Sequence, residues 1–261
     1  MLRRRTHQQI RPDEEVQAVR EACVIAATIL DRLCQLVEPG ITTYDIDQAG
    51  KKMFTEFGAE SACYNYQVGP RVFPAYTCLS VNDEVVHGIG KLETVLKEGD
   101  NITVDVVARY RGFIGDNART LIVGEGSDSM KRLLEKTSEA LDLGIAQAIP
   151  GNRVGNISHA IQKHVENNGY SVVREFVGHG VGRTMHEDPQ IPNYGRRKDG
   201  AKLYPGMTLA IEPMVLEGRA AINTDNDGWT ARTRDGKPAA HFEHTVLVTE
   251  GEPEILTIPQ K

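Results

Sequence analysis

The sequence predicts an α+β domain. Three observations carry that prediction. Apolar residues recur at helical spacing near the N-terminus and again in the middle of the chain, residues 101–123 switch to a period of two, and no regular strand–helix–strand alternation signals a parallel sheet. The 261 residues are 40% hydrophobic and 25% charged, which is enough for one sizeable core. No linker or low-complexity tract divides them, so a single catalytic-sized domain spanning 1–261 is expected, with 1–11 as a short leading segment.

The first helix is expected to open at Pro12, a residue suited to the first helical position, followed by Asp13, Glu14 and Glu15 against the positive end of the helix. Val16, Val19, Cys23, Ala26, Leu30, Leu33 and Val37 form its apolar stripe, and Pro39-Gly40 ends it. A second helix is expected over 44–57, capped by Thr43 and stopped by Gly58. Residues 61–78 show glycine, two prolines, several aromatics and no period, which reads as a surface loop. Ile102, Val104, Val106 and Ala108 alternate with Thr103, Asp105, Val107 and Arg109; a turn at 110–112 then returns the chain through 113–123 as a hairpin. Helices over 128–148 and 154–168 follow, then strands at 171–176, 207–211, 228–233 and 242–249. The order of helix pair, strands, helix pair, strands hints at two related halves.

Thirty basic against 36 acidic residues leave a net charge of −6, the wrong sign for a chain devoted to a nucleic-acid backbone. No apolar run approaches the roughly 18 residues needed to cross a bilayer. Arg3, Arg4 and Arg5 are followed by polar 6–9 where an export signal needs an apolar core. A soluble, cytoplasmic protein that binds neither DNA nor membrane is the expectation. Cys23, Cys34, Cys63 and Cys78 form no Cys-x-x-Cys pair, and Cys23 and Cys34 both fall on the first helix's apolar stripe as small core residues.

Several familiar motifs fail. His186-Glu187 begins like a His-Glu-x-x-His zinc helix, but Gln190 replaces the second His. Gly178-His179-Gly180-Val181-Gly182 has Arg183 where a dinucleotide fingerprint needs its last glycine. Residues 223–228 resemble half a calcium loop that then ends on Arg234 instead of Glu. No Gly-x-Ser-x-Gly is present.

What survives is a set of acids in apolar strands. Asp105 interrupts the strand 102–108, and Asp116 lies on the return strand. Their positions place a hairpin centre between Tyr110 and Arg111, which would set the two carboxylates directly opposite each other on one face. Two such acids pointing to solvent would be unremarkable. A register shift of one residue would also separate them. Glu212 ends the apolar run 209–211, Glu243 opens the final strand, and His179 and His186 lie seven apart in a glycine-bounded segment. Charges in such places must be paired or bind metal. Asp105, Asp116, Glu212 and Glu243 sum to −4, which two divalent cations balance, and oxygen ligation with one imidazole and no thiolate suits catalytic Mn, Fe, Co or Zn.

Taken together, Asn82-Asp83-Glu84-Val85-Val86-His87-Gly88-Ile89, Asp105 with Asp116 eleven later, Gly178-His179-Gly180-Val181-Gly182-Arg183 with His186-Glu187-Asp188-Pro189, Ile211-Glu212-Pro213 and Phe242-Glu243-His244-Thr245 resemble the type I methionine aminopeptidases over nearly the whole chain. The resemblance implies the pita-bread fold: a curved antiparallel sheet with flanking helices and pseudo-two-fold halves around a two-metal centre. It implies Asp105, Asp116, His179, Glu212 and Glu243 as ligands, with Asp116 and Glu243 bridging, Asp105 on one ion, and His179 and Glu212 on the other. His87 and His186 match the family's non-ligand active-site histidines, and Cys63, Tyr66, Phe73, Cys78, Met185 and Trp229 fall where it lines its methionine pocket. Gly90 stands where the family commonly has Pro, Met185 replaces a usual aromatic, His241 occupies a position often held by Gln, and the loop 63–78 is a few residues longer than in the simplest members.

The activity so implied is removal of the N-terminal methionine from nascent polypeptides with small second residues, using a water activated between two divalent metals. His186 would hydrogen-bond the developing oxyanion, His87 would serve the leaving nitrogen, and Glu212 would shuttle a proton. A monomer making transient ribosome contact fits this activity. The run Arg196-Arg197-Lys198 reads as a solvated loop, with RNA contact as its functional alternative. A proline-directed peptidase of the same fold usually carries a large extra N-terminal domain, for which a helix starting near residue 12 leaves no room. A non-catalytic relative would have lost ligands, whereas all five positions here hold acceptable ones.

Overall fold

A computed structural model describes residues 10–260; the Arg3–Arg5 run and most of the leading segment lie outside them. The N-terminal half contains helices α1 (Asp13–Cys34) and α2 (Thr43–Glu56) and strands β1 (Glu60–Ser61), β2 (Gln67–Val68), β3 (Arg71–Val72), β4 (Cys78–Val81), β5 (Glu84–Val86), β6 (Asn101–Tyr110) and β7 (Phe113–Ile122). The C-terminal half contains α3 (Asp128–Ile145), α4 (Val154–Asn167), β8 (Ser171–Val172), β9 (Gly178–Gly180), β10 (Glu187–Ile191), β11 (Thr208–Ile211), β12 (Met214–Leu216), β13 (Ile222–Thr224), β14 (Ala231–Thr233), β15 (Ala239–His241), β16 (Glu243–Leu247) and β17 (Glu254–Ile255).

Nine strands form one sheet with the order β1-β6-β7-β16-β11-β9-β10, β4 joining β6 and β17 joining β16. Every pairing in it is antiparallel. Smaller sheets β15-β12-β8 and β13-β14-β5 and the β2-β3 hairpin surround it. The suspected half-repeat is visible in the packing. Helices α1 and α2 bury Ile29, Leu33, Ile46 and Phe54 against Ile102, Val104 and Val106 of β6. Helices α3 and α4 bury Leu133, Leu141, Ile157 and Ile161 against Leu209 and Ile211 of β11 and Val246 of β16. Each such aliphatic side chain contributes about 1.5–3 kcal/mol when fully buried. Because side chains alternate along a strand, the helices claim one set of positions and leave the other set for the opposite face.

Several expectations shift at the ends of elements. Pro12 is the N-cap of α1, in extended conformation, and not its first helical residue. The helix stops at Cys34, ahead of Pro39-Gly40, and Cys34 is half-buried where Cys23 is fully buried. Thr42, not Thr43, caps α2, because only Thr42 has an acid three residues on: Asp45 completes a capping box. The Thr43 hydroxyl instead bonds the Lys91 carbonyl, 3.2 Å away. Helix α3 ends at Ile145 instead of 148, and the strands expected at 171–176 and 228–233 shrink to Ser171–Val172 and Ala231–Thr233. The loop 61–78 holds the short β2-β3 hairpin.

The hairpin register also differs. Tyr110 pairs with Phe113, so the turn is Arg111-Gly112 and Asp116 opposes Val107 while Asp105 opposes Ala118. The two acids are diagonal neighbours, not directly opposite. Both turn residues have positive φ, 48° for Arg111 and 82° for Gly112, as a two-residue type I′ turn requires. The shift amounts to two positions, so both acids still share a face.

Candidate metal centre

The face turned away from the helices carries two adjacent rows across the sheet. In the first, Cys78 opposes Asp105, Asp105 opposes Ala118, and Ala118 opposes Glu243. In the second, Val107 opposes Asp116, and Thr245 opposes Ala210, which opposes His179. The Thr245 hydroxyl joins the two parts of this second row. It donates to the Asp116 carbonyl at 2.8 Å and accepts from the Asp116 amide at 3.2 Å. Glu212 follows the last β11 pair, Ile211 with His244, and so extends toward Glu243. Ala118 and Ala210 supply a small-residue floor that leaves space above the sheet.

Asp116, His179 and Glu243 are buried, and one ligand atom from each lies within 4.8 Å of the others. His179 Nε2 is 3.5 Å from Glu212 Oε1 and 3.9 Å from Asp116 Oδ2. Among the described residues, buried Asp105 Oδ1 and Glu243 Oε1 have no hydrogen-bond partner, and neither does either ring nitrogen of His241. His241 Nε2 points at Glu212 and Glu243 from 3.7 and 3.8 Å. Orphaned buried acceptors beside other acids are costly unless a cation joins them.

The titration behaviour agrees. Burial pushes Asp105 up to about 7. Burial, then the Asp105 charge, pushes Asp116 well above the carboxylate range. Burial followed by the charges of neighbouring acids raises Glu212 and Glu243 in the same way. Left to themselves these groups would take up protons, whereas a divalent cation supplies the opposite charge that keeps them ionised. Burial holds His179 down to about 3, which leaves its imidazole neutral with a free lone pair. The residues therefore fit a divalent metal. A prediction follows from the sign of the shift. Asp105 has its ordinary value of 3.8 when unfolded and about 7 when folded. Chelated protein should therefore lose stability as pH rises through that window, and manganese should restore more of it at pH 8 than at pH 5. Melting temperatures with and without chelator measure this; a pH-independent difference would contradict it.

One cavity of about 930 Å³, its open mouth included, is lined by all five acid and imidazole positions together with His87, His186, Cys63, Tyr66, Phe73, Cys78, Met185 and Trp229. The structure thus brings the candidate metal-ligating, catalytic and pocket residues to one place. Cys63, Phe73, Cys78 and Val107 cluster with Tyr66, Met185 and Trp229 as its apolar wall. Trp229 stands edge-on to Phe73 at 5.3 Å, and the Arg71 guanidinium lies over its ring. His87 follows β5 with a φ of 60°, a backbone position uncommon for a side-chain-bearing residue, and its ring meets Phe176 edge-on at 5.1 Å. Burial pushes it down to about 4. His186 stands at the mouth, edge-on to His179 at 4.5 Å.

Sequence reasoning missed two supports. His241 registered only as an unusual residue, although its place two before Glu243 marked it for the same face. Arg11 was assigned to the leading segment, yet it is buried and pairs with Glu187. It also donates to Thr208 Oγ1 at 2.8 Å and to the Val181 carbonyl at 3.2 Å. Glu187 in turn accepts the backbone amides of Arg183 and Thr184, which shapes the turn that carries His186. The glycine segment is built for this packing: a Cβ at Gly182 would lie 2.0 Å from the Arg11 guanidinium, and one at Gly180 would lie 2.3 Å from the Asp188 carbonyl oxygen.

The chain matches the family model for metallopeptidase family M24 over residues 17–250. It is 44% identical to a methionine aminopeptidase of Clostridium acetobutylicum over 249 residues, covering 95% of this chain and 98% of that one. The crystal structure of methionine aminopeptidase from Thermotoga maritima superposes with a TM-score of 0.92 at 45% identity, covering 95% and 98% of the two chains. Prolidase from Pyrococcus furiosus superposes at a TM-score of 0.78 with 22% identity, and this chain spans 66% of its length. That last likeness speaks for a common fold.

Proposed function

The chain belongs to metallopeptidase family M24, among the methionine aminopeptidases of pita-bread fold, and we propose that it hydrolyses the peptide bond after the N-terminal methionine of nascent polypeptides. The observation that carries this reading is the joining, in one cavity, of a buried acid cluster to a wall of two thiols, a thioether and aromatic rings. Asp105, Asp116, His179, Glu212 and Glu243 would hold two divalent cations, whose four charges balance the four carboxylates. Asp116 and Glu243 would bridge them. When bound, such ions acidify water and polarise a carbonyl.

The protein's own groups supply the rest. The polarizable wall of Cys63, Cys78, Met185, Phe73, Tyr66 and Trp229 suits a thioether side chain. Glu212, which lines the cavity beside His179, takes the proton released by the attacking water. His186 donates to the oxyanion, an interaction that strengthens as charge develops. His87, kept neutral by burial, directs its N–H at the leaving nitrogen. A crowded mouth formed by His186 and Tyr66 favours small second residues. A cytoplasmic site of action, a monomer and passing contact with the ribosome fit such a substrate; Arg196, Arg197 and Lys198 are exposed in a loop.

The test is turnover of a Met-Ala peptide before and after chelation, with single metals added back, beside an Xaa-Pro panel. Cleavage of Met-Ala that vanishes on chelation and returns with manganese, iron, cobalt or zinc is expected. Preference for Xaa-Pro peptides, or activity indifferent to chelation, would contradict the reading.

A further inference from the structure

The Tyr66 hydroxyl lies 2.8 Å from Nδ1 of His186, across 120 positions of sequence. The two rings meet edge-to-face with centroids 5.6 Å apart. Among the described residues, Nδ1 of His186 has no other hydrogen-bond partner. We propose that Tyr66 is a positioning residue whose phenol O–H holds His186 in its Nε2–H tautomer, so that the ring's one proton faces the cavity. This rests on the aminopeptidase reading, in which His186 must donate to a developing oxyanion.

The polarity of the bond follows from its chemistry. A neutral imidazole has one N–H and one lone pair, and the hydrogen bond at one nitrogen decides which nitrogen keeps the proton. The phenol oxygen shares its lone pairs with the ring, which makes it a good donor and a poor acceptor, whereas an imidazole nitrogen accepts well. Tyr66 therefore donates, Nδ1 accepts, and Nε2 carries the proton.

Both partners are held in place independently. The Tyr66 amide donates to the Cys63 carbonyl at 2.9 Å, and its carbonyl accepts from the Phe73 amide at 2.8 Å, which pins it at the base of the β2-β3 hairpin. On the other side, Glu187 and buried Arg11 fix the turn at 183–186. A bond between two pre-ordered loops loses little entropy on forming. Tyr66 thus has two functions: its ring walls the pocket and its hydroxyl sets the proton of the neighbouring histidine.

Tyr66→Phe separates them, because it keeps the ring and removes only the hydroxyl. The zinc-loaded protein, diamagnetic and labelled with ¹⁵N in its 8 histidines, can be read by two-bond ¹H–¹⁵N correlation, His186 being assigned from the spectrum of His186→Gln. The Nε2–H pattern is expected in the wild-type chain, and a shift toward Nδ1–H or a mixture in Tyr66→Phe. On a Met-Ala peptide, kcat should fall at least about 10-fold with KM changed less than about twofold; a wrong tautomer in a serine-protease triad costs up to about 10⁴-fold. An Nδ1–H wild-type ring, or a Tyr66→Phe ring and kcat both unchanged, overturns the proposal. A wild-type chain that shows the Nε2–H pattern but leaves Met-Ala peptides intact overturns the aminopeptidase reading, and with it the role assigned to this bond.

Discussion

Replacing Glu243 with Gln is expected to empty the metal centre and lower kcat/KM on a Met-Ala peptide by more than about 100-fold, since even residues one shell outside a metal typically cost 10- to 100-fold. Glu243 is 3% exposed and opposes Ala118 in the row that also holds Asp105. Among the described residues, its Oε1 has no hydrogen-bond partner. The amide keeps the volume but removes one negative charge and turns an N–H₂ toward the neighbouring acids. Asp105→Asn should act in the same direction, with a smaller loss because Asp105 would touch one ion and not both. Metal analysis of the purified variants, with circular dichroism to show that they remain folded, measures the effect. A folded Glu243→Gln protein that retains two equivalents of metal and full turnover would remove Glu243 from the centre.

His87→Ala should behave differently. Its ring lines the same cavity, but it packs on Phe176 and is kept neutral by burial. Loss of a positioned proton donor typically costs about 10²- to 10⁴-fold in rate. Metal content should therefore stay at the wild-type level while kcat falls by that factor. The contrast with Glu243→Gln matters more than either result alone: one variant loses the ions, and the other keeps them and loses the chemistry. An unchanged kcat in His87→Ala excludes it from the reaction.

The alternation of Ile102, Val104, Val106 and Ala108 made the central hairpin legible in the sequence, and with it the placement of Asp105 and Asp116 on one face. Their offset was misjudged because the turn was centred one residue early; Gly112, able to take positive φ, was the marker of a two-residue turn at 111–112. The ends of α1 and α3 were read too long, since apolar periodicity continues past the last intrahelical bond. The acid cluster was legible because acids inside apolar strands break the expected pattern. The supports around it were not. Arg11 and Glu187 are 176 positions apart, and Tyr66 and His186 are 120 apart. Nothing local announces such contacts: they exist only once the sheet has brought β9 and β10 beside the N-terminal segment and the β2-β3 hairpin opposite the turn at 183–186. His241 lay between these cases, visible as an oddity but without a role until β15 set it beside Glu212.

Crystals of the protein grown with manganese and measured at an energy sensitive to it locate the ions without any assay. Two anomalous peaks roughly 3.5–4 Å apart are expected, both within bonding distance of Asp116 and Glu243, one also touching Asp105 and the other His179 and Glu212. Peaks elsewhere on the molecule, or none at this cluster from manganese, iron, cobalt or zinc, would contradict this ligand assignment.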